Sequence, residues 1–415
     1  MTIAITDYLK RMYTRYKMIR HVRFMAAHAF SIPLLMLLYL LKPVVHIKLF
    51  RTFNEDRIGH LAMNTDLFLR RLQLHDPRKP REFWIGFAST KPANAHLLKM
   101  FIRAFRTRGI KIIQTPSVLY NILIKSVLSD QSLFGRSSFF LPVPANSNEY
   151  YEYNSTSYNL SFTEEEEKKG YALLRQMGIP DSAWFVCIHA RNLPSSPVNP
   201  LNAYRNCSIK NFMAAAGYIT SKGGYVIRLG SDAEKEMVTN SPYIIDYAKK
   251  HRTDFRDIYL CAKCKFFLGS NTGLSIVSEL FHVPLAETNF PTCGQLFTPF
   301  RSNSLFLLKK LWSKKEKRFL SFQEILEFEK KTSYNDWKNF SYERYGLDCV
   351  ENSPEEILDL AREMNERIDG TWKTTPEDEE LQKKFKSFIT PEHRCYGTPV
   401  RIGTLFLKKN KIFLE

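Results

Sequence analysis

Residues 254–289, DFRDIYLCAKCKFFLGSNTGLSIVSELFHVPLAETN, leave the chain few choices of fold. Their order is helix, buried strand, tight loop, helix, strand. Asp254 or Thr253 caps a helix running through Cys264, and Phe266, Phe267 and Leu268 then make a short apolar strand that stops at Gly269. Ser270, Asn271, Thr272 and Gly273 form the strand-to-helix loop. Small and hydroxyl-bearing residues there leave the first backbone N–H groups of the next helix unblocked, and with the helix dipole those groups attract an anion. Leu274, Val277 and Leu280 turn that helix toward the sheet, which sets Ser275 and Glu279 on another face. In open α/β sheets ligands sit outside the carboxyl ends of the strands, where this loop lies. Taken alone, the segment fits an ordinary βα unit of another doubly wound fold equally well.

Two more strand ends carry matching chemistry. Residues 185–188 read as a buried strand, and His189 and Arg191 leave its carboxyl end in an H-x-R pattern. The planar fork of arginine suits bidentate binding of a diphosphate, and a neighbouring histidine can donate to phosphate or orient a leaving group. A helix over 209–220 leads into a third strand over 225–229, followed by Gly230, Ser231 and Asp232, with Arg228 at the strand end. Strand ends bearing Arg191, Ser231 with Asp232, and Ser270 to Thr272 would line one crevice.

The segment 254–289 resembles the nucleotide-sugar half of GT-B glycosyltransferases. That resemblance implies that the Gly/Ser/Thr loop, Gly269 to Gly273 with Ser275, faces a diphosphate, and that Glu279 holds the ribose hydroxyls. The H-x-R at His189 and Arg191 resembles that of the fucosyltransferase-like GT-B enzymes, in which the arginine neutralises the nucleotide diphosphate; the turn at Gly230, Ser231 and Asp232 resembles the one facing base and ribose. Those enzymes continue with Gly-Asp where this chain has Asn192. Residues 180–310, together with RIGHLA at 57–62 and RIGTLFL at 401–407, resemble a family of bacterial glycosyltransferases encoded in surface-polysaccharide clusters. The implied substrate is a nucleotide sugar, UDP-linked by the glutamate resemblance and GDP-linked by the H-x-R resemblance.

The basic charge is lopsided. Of a net +18, residues 1–113 hold 21 Lys and Arg against 6 Asp and Glu, a balance of +15, which leaves +3 for the remainder. Such asymmetry serves nucleic acid, an anionic membrane face or acidic substrates. The sequence has no recognisable nucleic-acid module, and the basic residues surround an apolar segment at 24–41, FMAAHAFSIPLLMLLYLL, so an anionic membrane surface is the expected partner. Eighteen residues are at the lower limit for a span, and no small-residue cleavage site follows. A span would send the later domains outside, away from cytoplasmic nucleotide sugars. A monotopic or peripheral anchor on the cytoplasmic face of the plasma membrane is therefore expected; a buried helix of the first domain is the alternative.

Length and a hydrophobic content of 44% suit two globular domains with additions. Strands over 44–50, 82–87 and 110–113 alternate with helices over 93–107 and 118–128, an α/β layer. After the first strand, Gly59 opens a helix at the position from which GT-B enzymes present the acceptor-side base. Glu55, Asp56, Asp66 and His60 are the candidates, His60 and Asp56 foremost, with capping or surface roles as alternatives for Glu55 and Asp56. The Asn/Ser/Tyr-rich stretch 142–160 reads as a linker, 305–311 as the last strand, and 353–368 and 376–388 as C-terminal helices. Cys261-x-x-Cys264 lies within a helix without a second pair, so no zinc site is expected.

The expected fold is α/β of GT-B type, two Rossmann-like doubly wound domains with a cleft between them. Residues 1–43 form the membrane-associated segment, 44–160 the acceptor domain and linker, 161–340 the nucleotide-sugar domain, and 341–415 helices returning to the first domain. The expected activity is metal-independent transfer of a sugar to a glycan or lipid-linked glycan, with no cofactor. A non-catalytic membrane-surface protein of degenerate GT-B fold is the alternative.

Overall fold

The computed structural model describes residues 29, 33–34, 36–51, 56–116, 141, 149–192, 204–230, 237, 239–250, 252–291, 298–331 and 342–415. The basic residues up to Arg23, half of the apolar segment 24–41, Glu55, the helix expected over 118–128, and Ser231 and Asp232 lie outside them. The chain divides into two compact units, Met1–Asn146 and Ser147–Glu415.

The first unit is built on a parallel sheet, β1 (His46–Arg51), β2 (Glu82–Ser89) and β3 (Lys111–Thr115), in that order. Helices α1 (Ile58–Leu74) and α2 (Ala95–Arg106) connect the strands. Pairing aligns Phe50, Gly86 and Ile112 on one face. Phe50 stacks on Phe68 of α1 at 5.2 Å and meets Phe105 of α2 at 5.7 Å. A Cβ on Gly86 would come within 2.4 Å of Ile112 Cδ1 and 2.6 Å of Phe50 Cζ, so glycine alone lets the two side chains close over that strand. Asn94 caps α2 by accepting the Leu97 N–H at 2.8 Å. On the opposite face Leu34 and Leu38 pack against Ile47, Leu49, Ile85 and Phe87. The described end of the apolar segment thus lays one side on the sheet, while Met36, Leu37 and Leu40 remain 64%, 50% and 78% exposed. Among the described residues no helix is long and apolar enough to cross a membrane.

The second unit opens with α3 (Glu149–Ser155) and α4 (Glu164–Gln176). The α3 residues fall within the stretch expected as linker. They are helical because Tyr150 and Tyr153, one turn apart, are buried: Tyr153 stacks on Phe300 at 4.4 Å, and the Tyr150 hydroxyl meets Thr298 Oγ1 at 3.0 Å. Two aromatic anchors without an aliphatic stripe give no helical period to read.

A seven-stranded parallel sheet follows, made of β4 (Phe185–His189), β5 (Tyr225–Arg228), β6 (Ile244–Ile245), β7 (Phe267–Ser270), β8 (Leu285–Phe290), β9 (Leu305–Leu308) and, from near the chain end, β13 (Arg401–Ile402). Its order is β13-β9-β8-β7-β4-β5-β6. Helices α5 (Met213–Ser221), α6 (Tyr247–Lys250), α7 (Asp254–Lys263) and α8 (Gly273–Leu280) lie between successive strands. Strands buried on both faces explain the continuous apolar runs at 185–188 and 266–268. The strand expected over 305–311 breaks at Lys309: β9 stays in the large sheet, while β10 (Lys310–Ser313) pairs antiparallel with β11 (Arg318–Phe319) and β12 (Leu347–Val350).

Residues 341–415, expected to return to the first domain, build into the second unit. After α9 (Phe322–Lys331) come α10 (Pro354–Ile368), α11 (Pro376–Ser387) and α12 (Thr404–Lys409). Ile357, Leu360, Met364, Phe385 and Phe406 join the same core as Val186, Leu268 and Phe306, and Arg401 pairs with Leu305. Reciprocal capping boxes start α4, α10 and α11 at Thr163, Ser353 and Thr375.

Candidate functional site

The chain leaves β4 for β5 and β6 on one flank and returns to β7, β8 and β9 on the other, so the strand order reverses between β4 and β7. The crevice at the carboxyl ends of such a pair of strands is the general ligand position of open α/β sheets.

His189 ends β4 opposite Gly269 of β7. A Cβ on Gly269 would lie 2.6 Å from the His189 carbonyl oxygen, so glycine lets β4 and β7 close there; β7 runs past its expected stop to Ser270, which pairs with Thr288. The His189 ring lies on Gly230, whose φ of +135° and whose absent Cβ, which would sit 3.3 Å from the ring, both call for glycine. Burial, then the charges of Arg191 and Arg228, push the imidazole down to about 4, so it is neutral near pH 7; its Nδ1 is buried without a hydrogen-bond partner. Arg191 ties the two loops together, its N–H donating to Ser270 Oγ at 2.9 Å.

Thr272 caps α8 in a reciprocal box with Ser275: the Ser275 N–H donates to Thr272 Oγ1, and the Thr272 N–H to Ser275 Oγ at 3.3 Å. The N–H groups of Gly273 and Leu274, in the first turn, have no carbonyl one turn back, and both residues are partly exposed. Ser275, Val277, Ser278, Glu279 and Leu280 of α8 are all buried, so the face that carries Ser275 and Glu279 is enclosed as well. Ser275 Oγ donates to Glu287 Oε1 at 2.9 Å. Glu279 accepts the Phe300 N–H at 2.6 Å, and its Oε2 is buried without a partner. Burial and the neighbouring Glu287 push the Glu279 carboxyl up to about 8. Glu279 therefore secures the turn that leads into β9.

Arg228 also differs from expectation. It is buried, and Nη1 pairs with Asp246 Oδ2 at 3.1 Å; the same oxygen accepts the Met237 N–H. Asp257 accepts from Tyr247 Oη and Arg252 Nε, both at 2.9 Å, and so fixes the start of α7. Cys261 and Cys264 are buried thiols, Cys261 pushed up by desolvation. Among the described residues no three His, Cys, Asp or Glu side chains converge as ligands for a metal ion.

The candidate bases belong to the first unit. His60 is half-buried on α1 and pushed down by burial and then by Arg57, against the pull of Asp56; Asp56 is exposed in the preceding turn. Asp66 is fully buried and paired with Arg70, one helical turn on, which removes it as an acceptor-side base.

Three residues at the crevice escaped the sequence reading. Arg205 Nη2 donates to Asn271 Oδ1 at 2.7 Å and to its carbonyl at 2.9 Å. Glu287, buried on β8, accepts from Ser275 and from Asn271 Nδ2 at 3.4 Å, and burial pushes it up to about 7. Lys309, buried after β9, donates to the Asn206 carbonyl at 2.7 Å. The readable signal was a charged residue inside a six-residue strand buried at every position.

No protein-family model and no curated protein matches the chain. Among solved structures it is similar to the ADP-heptose LPS heptosyltransferase II of E. coli (13% identity, 63% of this chain and 90% of that one, TM-score 0.38). It is also similar to a glycosyl transferase of family 9 from Veillonella parvula (11%, 77% and 96%, TM-score 0.46). A third is the E. coli heptosyltransferase WaaC solved with ADP (9%, 63% and 91%, TM-score 0.33). At these scores and identities the likenesses assign the chain neither a family nor an activity.

Proposed function

We propose that the crevice at the β4/β7 switch point binds the diphosphate of a nucleotide sugar and that the protein is a glycosyltransferase of GT-B type. The observation that carries this reading is the bond between the Arg191 N–H and Ser270 Oγ, which brings an H-x-R arginine against a capped helix start at the point where the strand order reverses. Arg191 and the first amides of α8 supply the positive charge that a leaving diphosphate requires, so the transfer is read as metal-independent. His189, held neutral, offers a hydrogen bond instead of a charge. Asn271 and Thr272 cradle the phosphates, and the base and ribose are assigned to the turn that starts at Gly230, with Ser231 and Asp232 as candidates from the sequence. His60 and Asp56 are the proposed acceptor-side bases.

The acceptor is a glycan or lipid-linked glycan at an anionic membrane, on the cytoplasmic face. Support comes from the +15 balance of residues 1–113 and from exposed Met36, Leu37, Leu40 and Val44 beside Lys42.

A thermal-shift panel of UDP, GDP, ADP, CMP and dTDP without added metal, on wild type and Arg191→Ala, tests the site. A nucleotide at a hundred times its Kd adds about 2.7 kcal/mol of stability. One nucleoside diphosphate is expected to raise Tm in the wild type and not in the variant. Flat curves across the panel would move the assignment to a non-catalytic membrane-surface protein.

A further inference from the structure

Residues 204–208, YRNCS, form a strap over the carboxyl ends of the central strands. After β4, the Arg191 carbonyl accepts the Cys207 N–H at 2.9 Å. After β9, Lys309 Nζ donates to the Asn206 carbonyl at 2.7 Å. The Ser208 N–H donates to Glu351 Oε2 at 2.9 Å. Held at these points, the strap delivers the Arg205 side chain to the loop after β7, where Nη2 donates twice to Asn271.

The charge of Arg205 is not balanced there. Both acceptors of Nη2 are neutral oxygens, the guanidinium forms no ion pair among the described residues, and Nε is buried without an acceptor. Glu287, the nearest carboxylate in charge influence, bonds to Ser275 and Asn271 instead. A half-buried guanidinium that bonds to no anionic group loses part of its hydration and gains little in return. Its five N–H groups form a rigid fork suited to phosphate oxygens, and most of that fork is unspent. A staple for the loop needs one donor and no charge.

We propose that Arg205 is a second guanidinium of the diphosphate site, joining Arg191 at the Ser270 to Gly273 loop, with Lys309 as a positioning residue that holds the strap. The inference rests on the reading of this crevice as a nucleotide-diphosphate site. A diphosphate carries negative charge on each phosphorus, and one arginine matches one of them.

The test is calorimetric titration of the stabilising nucleoside diphosphate, its monophosphate and its nucleoside into wild type, Arg205→Gln, Arg205→Lys and Arg191→Ala, at low and high salt. Arg205→Gln is expected to weaken the diphosphate about ten- to a hundredfold. The monophosphate loses less, the nucleoside is unaffected, and the salt dependence becomes shallower. Arg205→Lys restores part of the loss. If Arg205→Gln binds the diphosphate like wild type while Arg191→Ala does not, the site stands and Arg205 is only a staple. An equal loss on all three ligands likewise overturns the inference, since it reports a displaced loop. Wild type that binds none of them overturns both readings. Should Arg205→Gln fail to fold, Lys309→Met, which frees the strap and keeps the guanidinium, must show the same phosphate-dependent loss.

Discussion

Replacing Gly269 by Ala places a methyl group where β4 and β7 touch. The new Cβ would stand 2.6 Å from the His189 carbonyl oxygen, 2.8 Å from Phe267 Cε1 and 3.3 Å from the His189 nitrogen. Two of these atoms are backbone of the paired strand, so relief requires β4 to move as a whole. Overpacking of this kind costs about 1–3 kcal/mol. At about 2–4 °C per kcal/mol for a unit of this size, Tm falls by roughly 2–12 °C. The displaced carbonyl lies two residues before Arg191, so nucleotide affinity falls as well. Gly217→Ala is the control: it sits inside α5 with nothing within 4 Å of its would-be Cβ. There the lower backbone entropy of alanine stabilises by about 0.5–1 kcal/mol, and Tm rises. Circular-dichroism melts of both variants, with nucleotide titrations beside them, decide the matter. A Gly269→Ala protein that melts with wild type and binds equally well would refute the packing argument.

Glu279 and Glu287 bind protons in the folded state that the unfolded chain has already released above its ordinary 4.5, since burial lifts them to about 8 and about 7. Their contribution to stability is therefore full below pH 4.5 and is lost as pH rises through 7 to 8, and Glu279→Gln should flatten that decline in a Tm–pH series. Arg70→Met strands the buried Asp66 carboxylate and is expected to destabilise the first unit by about 3–5 kcal/mol in urea melts, whereas Asp66→Leu combined with Arg70→Met recovers most of the loss. Asn352→Ala removes the acceptor of the Asn289 N–H, at 2.6 Å, and the donor to the Leu308 carbonyl, at 2.9 Å, leaving two buried backbone groups unpaired for an expected cost of about 3 kcal/mol by denaturant titration.

The sequence was most legible where one physical pattern acted alone. Apolar runs at 185–188, 225–229 and 266–268 marked buried parallel strands, and the segments 353–368 and 376–388 read as helices and form them. What was hidden depended on partners far along the chain. Arg228 looks like a ligand until Asp246, eighteen residues later, is seen to hold it. Glu279 falls on a helix face other than the one toward the sheet, and only the turn at Phe300 shows what that face meets. Lys309 ends one strand and precedes another because the Asn206 carbonyl draws its ammonium inward, a contact across 103 positions. Arg205 stood in plain view, and only the geometry of Asn271 gives it a role.

Hydrogen exchange read by mass spectrometry, with and without the stabilising nucleoside diphosphate, tests the placement of the site most directly. Slowed exchange in peptides covering 189–192, 204–208 and 270–275, with the sheet of the first unit unchanged, is the predicted result. Nucleotide binding that leaves those three segments unprotected would contradict it.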